Sequence, residues 1–396
     1  MADHRQPKKE QDMENFVTVE AKVLAKAMKL ASAIAELRVT IPILSTVRLR
    51  YGPTGLFVDV TDLDLEASIA VDEIDGSGEW MICIPARELA SIAAVSGTTP
   101  LRISPVSSIR DVGKSRERKE VSASIVAGDA SYDLPAPLDP SEFPQLTGDQ
   151  MQRIERFTNG QFAAMLKKVS HCISTEETRY YLNGVNWSAK PQGKRFAATD
   201  GHRLAACRYA ANENGEAFSY IIPRKTVMVL ATFLEGADVE VISIGKGNAV
   251  IETRLDFKAP GILLRTKLID GTFPDFDRVI PDGSGHKLDV RRDEMLTAIR
   301  QATAIGGWRG AAIRLQGIDG RLNVATKNME DGSAKVTTSA AWPAGMGEIG
   351  VNSKYMAEMV KHCEGSISFG MTDAGSPLTL SDDDKDMTRV VMPMRV

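Results

Sequence analysis

The stretch FAATDGHRLA, residues 196–205, carries the reading of the whole chain. Phe196, Ala197 and Ala198 read as the end of a buried strand. Thr199-Asp200-Gly201 is turn chemistry, because an Asp side chain bonds its own backbone and Gly accepts a positive φ. His202-Arg203-Leu204-Ala205 then resumes an extended apolar/polar alternation. An Asp and a His two residues apart invite a catalytic reading. Acid–base work needs a third group and a nucleophile, and neither is nearby. The plainer reading is a tight turn with an exposed arginine.

The chain has 396 residues, 43% hydrophobic and 25% charged, enough for two or three globular domains. No apolar run approaches the roughly 20 residues needed to span a bilayer, and the N-terminus lacks a signal-peptide core. The expectation is a reduced, cytoplasmic protein without membrane contact. Cys83, Cys172, Cys207 and Cys363 are far apart, which fits neither a disulfide framework nor a zinc site with paired cysteines. His4, His171, His202, His286 and His362 are equally scattered, with no HExxH or comparable ligand spacing. Dinucleotide, P-loop and GxSxG fingerprints are missing from the sequence. No catalytic residue, cofactor or metal is therefore expected. A net charge of −4 is wrong for a protein that grips nucleic acid with its whole surface, so any DNA contact needs a local basic face.

Residues 1–15, MADHRQPKKEQDMEN, are polar and aperiodic and read as a disordered tail. From Glu20 to Glu36 the spacing predicts a helix, with Leu24, Ala27, Met28, Ala31, Ile34 and Ala35 on one stripe. Lys22, Lys26 and Lys29 fall on a second stripe. A lysine stripe on one helix reads as a solvated face, but this one recurs. From Gln161 to Ile173, Phe162, Met165, Leu166, Val169 and Ile173 form the apolar stripe, with Lys167, Lys168 and His171 outside it. A third helix, Arg291 to Ile305, points Met295, Ile299 and Ala302 inward and only Arg300 clearly outward.

Other features repeat at the same interval. TDLDLE begins at Thr61 and TDGHRL at Thr199, 138 residues later. Ile84-Pro85-Ala86-Arg87 returns as Ile222-Pro223-Arg224-Lys225, again 138 later, each opening a helix, and Val351-Asn352-Ser353-Lys354 is a looser third copy. Phe143-Pro144 returns as Phe273-Pro274 after only 130, which places extra residues between Pro85 and Phe143. The charged run Arg110 to Glu120 is assigned to them as a long exposed loop. The expected fold class is α+β: three similar domains, 16–150, 151–282 and 283–396, each with two helices on antiparallel sheets. Internal repetition also points to a symmetric assembly.

ATDGHRLA, with RYYLNG, FPDFDRV and the chain end VVMPMRV, resembles the bacterial sliding clamp family, the β subunits of DNA polymerase III, over residues 16–396. The resemblance implies a non-enzymatic, head-to-tail homodimeric ring of six domains that encircles duplex DNA without sequence specificity and tethers its partners. It implies as partners the replicative polymerase α subunit, the clamp loader, translesion polymerases, and mismatch-repair and ligase-type proteins, all through short peptides. The matching peptide-pocket positions are Leu182, Thr199, Gly201, His202, Arg203, Leu204, Pro274, Arg278, Val279, Val390, Met392, Pro393, Met394 and Arg395, with Asn352, Tyr355 and Pro377 on its wall. Methionine suits a pocket serving many partners, because its thioether stem repacks readily. For DNA, the resemblance implies Arg38, Arg179, Tyr180 and Tyr181 beside the basic helix faces, Lys22, Lys26, Lys29, Lys167, Lys168 and Arg300. Tyr180 and Tyr181 could stack on unpaired bases or serve as packing. Tyr132, Ala304 and Ile305 match positions at the ring seam. The family's usual aromatic before Asn352 is Val351 here, and the last residue is Val396 where Leu is common. The charged run, the N-terminal tail and the weaker resemblance of the third domain keep a second reading open, a divergent paralogue specialised for repair or a mobile replicon. An enzyme using Asp200 and His202 is the reading from a different class.

Overall fold

The structure, a computed structural model, describes residues 15–36, 40–111, 117–146, 150–191, 193–210, 217–246, 251–281, 285–305, 312–328 and 332–395. Arg38, Val396, the tail 1–14 and the tip of the charged run, 112–116, lie outside them. Six α-helices are present among the described residues: α1 (Ala21–Ile34), α2 (Ala86–Val95), α3 (Gln161–Ser170), α4 (Arg224–Phe233), α5 (Arg292–Ala302) and α6 (Ser353–Lys361). None is long and apolar enough to cross a membrane. The periodic stripes explain their packing. Leu24, Ala27, Met28, Ala31 and Ile34 are buried on α1, while Lys22, Lys26 and Lys29 are exposed. Met295, Ile299 and Ala302 are buried on α5, and Arg300 is exposed. Pro85 and Pro223 end strands immediately before α2 and α4, where a ring-fixed φ and a missing N–H cost nothing. The Asn352 side chain caps α6, accepting from the backbone N–H of Lys354 and Tyr355 at 3.0 and 3.2 Å.

The chain divides into two compact units, residues 1–162 with 232–267, and residues 163–231 with 268–396. Each is built on an eight-stranded antiparallel sheet. In the first unit the order is Trp80–Pro85, Thr46–Gly52, Gly55–Thr61, Leu65–Val71, Ile262–Lys267, Ile251–Ala259, Val239–Lys246, Gln150–Phe157. In the second it is Phe218–Pro223, Gly184–Lys190, Gly193–Thr199, Arg203–Ala210, Met387–Val391, Leu378–Ser381, Ser366–Met371, His286–Arg291. The two orders correspond strand for strand. In both sheets the central pairing joins strands from successive repeats: Leu65–Val71 on Ile262–Lys267, and Arg203–Ala210 on Met387–Val391. The middle repeat thus gives half of its strands to each unit. A five-stranded sheet completes the first unit and a four-stranded one the second.

The charged run is a correction. Strands Pro100–Asp111 and Glu117–Ala127 pair in unbroken register from Leu101↔Ala127 to Asp111↔Glu117, so most of the expected loop is a long hairpin. Charge content hides such a strand, because a ladder of backbone hydrogen bonds needs no apolar side chains to form.

Candidate functional site

The 196–205 stretch folds as the turn its chemistry dictates. Thr199 Oγ1 accepts from the N–H of Gly201 at 3.1 Å and donates to the Arg203 carbonyl at 2.7 Å. Asp200 Oδ1 accepts from the N–H groups of His202 and Arg203 at 2.9 and 3.0 Å, and its Oδ2 accepts from Arg203 Nε at 3.0 Å. Both oxygens of Asp200 are therefore engaged in the turn, which removes the acid–base reading. Gly201 sits at φ +88°, and a Cβ there would collide with the Arg179 guanidinium. Arg179 is itself held by Glu176 at 2.7 Å.

Arg203 is not the exposed arginine expected. It is 8% exposed, pairs with Asp200 and Glu358, and lies 4.7 Å over the Tyr355 ring. A guanidinium can be buried here because two carboxylates and an aromatic face replace its water. The exposed His202 stacks on the same tyrosine, ring centroids 5.6 Å apart.

The chain end comes to this turn by strand pairing. Arg203 faces Val391 and Leu204 faces Val390 in the ladder. Beyond the strand, Met392 N–H donates to the His202 carbonyl and Met394 N–H to the Gly350 carbonyl, both at 2.8 Å. Leu182, Leu204 and Val390 meet in one apolar cluster with Ala197, Ala206, Ile221, Phe273 and Phe276. Of the other expected pocket residues, Thr199, Asn352, Tyr355, Pro377, Met392 and Pro393 are half-buried, and Gly201, His202, Met394 and Arg395 are exposed. Pro274, Arg278 and Val279 are exposed on the segment that follows Phe273, with Arg278 paired to Asp275 at 3.1 Å. Residues from Leu182 to Val390 thus meet in one buried cluster of the second unit. Sequence reasoning missed Glu358, Ile221 and Phe276. The FP repeat points to Phe273, three residues before Phe276, whereas nothing in the spacing marks Glu358.

The tyrosine pair divides its roles. Tyr180 is 54% exposed, and Tyr181 packs against the apolar cluster. Lys167 and Lys168 are exposed on α3, and Lys168 pairs with Asp384 at 2.5 Å. Arg300 lines a groove of about 950 Å³ between α5 and α6, together with Arg292, Lys354 and Lys361. Half-buried Tyr132 lies on Ala130–Pro135, the outermost strand of the five-stranded sheet, and Ala304 and Ile305 follow the end of α5. His171, at the end of α3, stacks on His362 with ring centroids 3.9 Å apart. Burial, and then the neighbouring His362 and Arg203 charges, hold His171 down at about 3, so its imidazole is neutral.

Family models match most of the chain. The N-terminal, central and C-terminal domains of the DNA polymerase III beta subunit match residues 15–146, 157–275 and 277–395. The beta sliding clamp of Caulobacter vibrioides is 30% identical over 391 residues, covering 96% of this chain and all of its own, and that of Escherichia coli K12 is 28% identical over 385 residues, covering 96% and 99%. Among solved structures, the Bartonella birtlesii sliding clamp bound to griselimycin superposes with a TM-score of 0.82 at 30% identity, covering 96% of this chain and 100% of its own. The Caulobacter crescentus clamp does so at 0.81 and 29%, with the same coverage. The three repeats, their helices on antiparallel sheets and the match along 96% of the chain have one reading: the chain belongs to the family of bacterial DNA polymerase III beta subunits, the sliding clamps.

Proposed function

We propose that this chain, a non-catalytic sliding clamp that encircles duplex DNA and tethers the polymerase, receives its partners on the face built by residues 196–205 and the chain end. The observation that carries the reading is the junction itself. The Arg203–Val391 pairing and the Met392-to-His202 hydrogen bond hold the two segments over a common apolar floor. That floor offers burial for an apolar side chain, while Met392 and Met394 give it an adaptable rim. Short peptides of the polymerase α subunit, the clamp loader, translesion polymerases, and mismatch-repair and ligase-type proteins are the proposed occupants. Griselimycin, bound by the Bartonella birtlesii relative, is a proposed ligand of this chain too.

A ring holds DNA topologically, so its inner face needs only weak phosphate contacts, and tight ones would stall sliding. The exposed Lys22, Lys26 and Lys29 of α1, with Lys167, Arg179, Tyr180 and Arg300, are the proposed contacts. Tethering raises the effective concentration of the polymerase at its primer end, so it rebinds before it diffuses away. We place the repeat boundaries near 150 and 283, the ring seam at Tyr132 of one protomer against the Ala304-Ile305 region of its partner, and the protein in the cytoplasm.

Deleting Met392–Val396 is expected to abolish polymerase stimulation while sedimentation still shows the dimer; retained stimulation overturns the pocket assignment. A ring lost from primed circular DNA on linearisation supports encirclement. A working ring that fails to stimulate the host replicative polymerase points instead to a repair or mobile-replicon paralogue.

A further inference from the structure

The sequence holds two His-Cys dipeptides, His171-Cys172 just after α3 and His362-Cys363 just after α6, and the fold brings them together. The histidine rings stack at 3.9 Å, with only 9° between their planes. Beside the His171 ring lies the Met359 thioether. His171 Nε2 is 3.2 Å from Met359 Sδ, and Cys172 Sγ is 3.5 Å from the same sulfur. Cys172 and Met359 are completely buried, and the buried His171 Nδ1 has no hydrogen-bond partner. Cys363 directs its thiol to the Met359 carbonyl at 3.4 Å.

We propose that His171 Nε2, Cys172 Sγ and Met359 Sδ form a three-coordinate site for a soft monovalent metal ion, Cu(I) or its analogue Ag(I). No three His, Cys, Asp or Glu side chains converge among the described residues, so the donor set exists only when the thioether is counted. Thiolate, thioether and imidazole together select soft d¹⁰ ions over Mg²⁺ or Ca²⁺. The two sides of the donor triangle that meet at Met359 Sδ measure 3.2 and 3.5 Å. With a third side drawn to about the same length, the centre lies about 2.0 Å from each corner, close to a metal–nitrogen bond and slightly short of the roughly 2.3 Å of a metal–sulfur bond. Small outward shifts of the sulfurs suffice.

Charge decides between ions. On binding, the Cys172 thiol releases its proton to solvent, and the thiolate with a monovalent cation adds no net charge to the buried cluster. A dication would leave one unpaired positive charge near Arg203 and Arg389, where the desolvation cost is high. The three donors lie behind His362, whose exposed ring stacks on His171 and borders an open cleft of about 730 Å³ that also reaches Cys363, Lys168 and Arg389. A bound ion would tie the end of α3 to α6, one residue from the Glu358 that pairs with Arg203.

The test is an anaerobic titration of the full-length protein with Cu(I) in competition with bicinchoninate. One ion per protomer is expected, with copper X-ray absorption showing one nitrogen and two sulfur neighbours. Cys172→Ser and Met359→Leu should each weaken binding roughly tenfold or more, while Cys83→Ser leaves it unchanged, circular dichroism confirming that every variant is folded. Failure of the wild type to retain copper against bicinchoninate overturns the site. So does wild-type affinity in the Cys172→Ser/Met359→Leu double variant, or an absorption spectrum without sulfur.

Discussion

Leu63 and Gly201 hold the same place in two copies of one turn, both with left-handed backbone, at φ 78° and 88°. In each copy a threonine accepts from that residue's N–H, Thr61 at 3.0 Å and Thr199 at 3.1 Å, and donates to the carbonyl of Leu65 or Arg203. In each an aspartate one residue later, Asp62 or Asp200, accepts from the next two free N–H groups. The side chain is what differs. Leu63 packs with Leu138 against Ile43, Leu44, Cys83 and Phe143. At Gly201 that room belongs to the Arg179 guanidinium. One turn is closed with an apolar side chain, and its copy is left open beneath a charged one.

Leu63 is therefore under two opposed influences, backbone strain and side-chain packing. Leu63→Ala loses the packing and keeps the strain, whereas Leu63→Gly loses the same packing and relieves it. The glycine variant should be the milder by about 1 kcal/mol, the usual penalty of a left-handed non-glycine residue. Urea unfolding of both variants measures this. Equal losses would mean that the turn relaxes its φ when the leucine is removed.

Gly201→Ala imposes both costs at once, a left-handed alanine and a collision with Arg179 Nη1. A loss of about 1–2 kcal/mol is expected. Polymerase stimulation should fall with it, since the turn carries His202 and the carbonyl that holds Met392. Arg179→Ala in the same chain should recover the steric part only. A double variant no better than Gly201→Ala would assign the whole cost to φ.

The extent to which the sequence announced this arrangement follows from range. Turn chemistry at Thr199-Asp200-Gly201 and the stripe on α1 depend on near neighbours, and both were legible. The pairing of Arg203 with Val391 was reachable only through family resemblance, because nothing local to VVMPMRV names its partner strand. Burial of Arg203 was missed because its second carboxylate, Glu358, comes from α6. The hairpin from Pro100 to Ala127 was hidden by its charges, which mark solvent exposure and leave backbone pairing unmarked. The two His-Cys dipeptides looked scattered because their meeting point is set by how α3 and α6 pack.

Asp382 and Arg389 form a salt bridge at 2.9 Å with side chains only 2% and 3% exposed. Asp382 also accepts from the N–H groups of Glu364 and Asp384, and Arg389 donates to the His362 carbonyl. Removing one partner strands the other charge in the interior. Arg389→Met should cost about 3–5 kcal/mol. The double variant Arg389→Met/Asp382→Leu should be less damaged than the sum of its singles, by more than the few tenths expected of independent sites. A double-mutant cycle in urea decides it, and strict additivity would count against a coupled pair.

Acid should weaken one surface contact before the fold. Arg195 forks onto both Asp277 oxygens at 2.5 Å, and Lys190 stands nearby. Hydrogen bonds from Arg195, then the Arg195 and Lys190 charges, hold the Asp277 carboxyl below the usual carboxylate range. A depressed folded value contributes stability above the unfolded pKa of about 3.9 and loses it as pH falls through the folded value. The stability difference between wild type and Asp277→Asn should therefore shrink below about pH 4. Solvent screens this half-exposed pair, so the difference is small even at neutrality. A difference that stays level from neutral pH into the acid limb would show that Arg195 does not set the Asp277 titration.

The basic stripe of α1 makes the last prediction. Lys22, Lys26 and Lys29 are exposed at helical spacing while the opposite face of α1 is buried in the first unit. If they face the encircled duplex, each phosphate contact releases condensed counterions. Removing one then lowers the slope of log affinity on log salt by about 0.9. The variant Lys22→Ala/Lys26→Ala/Lys29→Ala should bind a short duplex more weakly and with a shallower salt dependence. Once loaded on a closed circle it should stay as long as the wild type, because retention there is topological. A slope unchanged by the triple substitution would take these lysines off the DNA and return them to a plain solvated face. Faster loss from closed circles would show instead that ring closure depends on them.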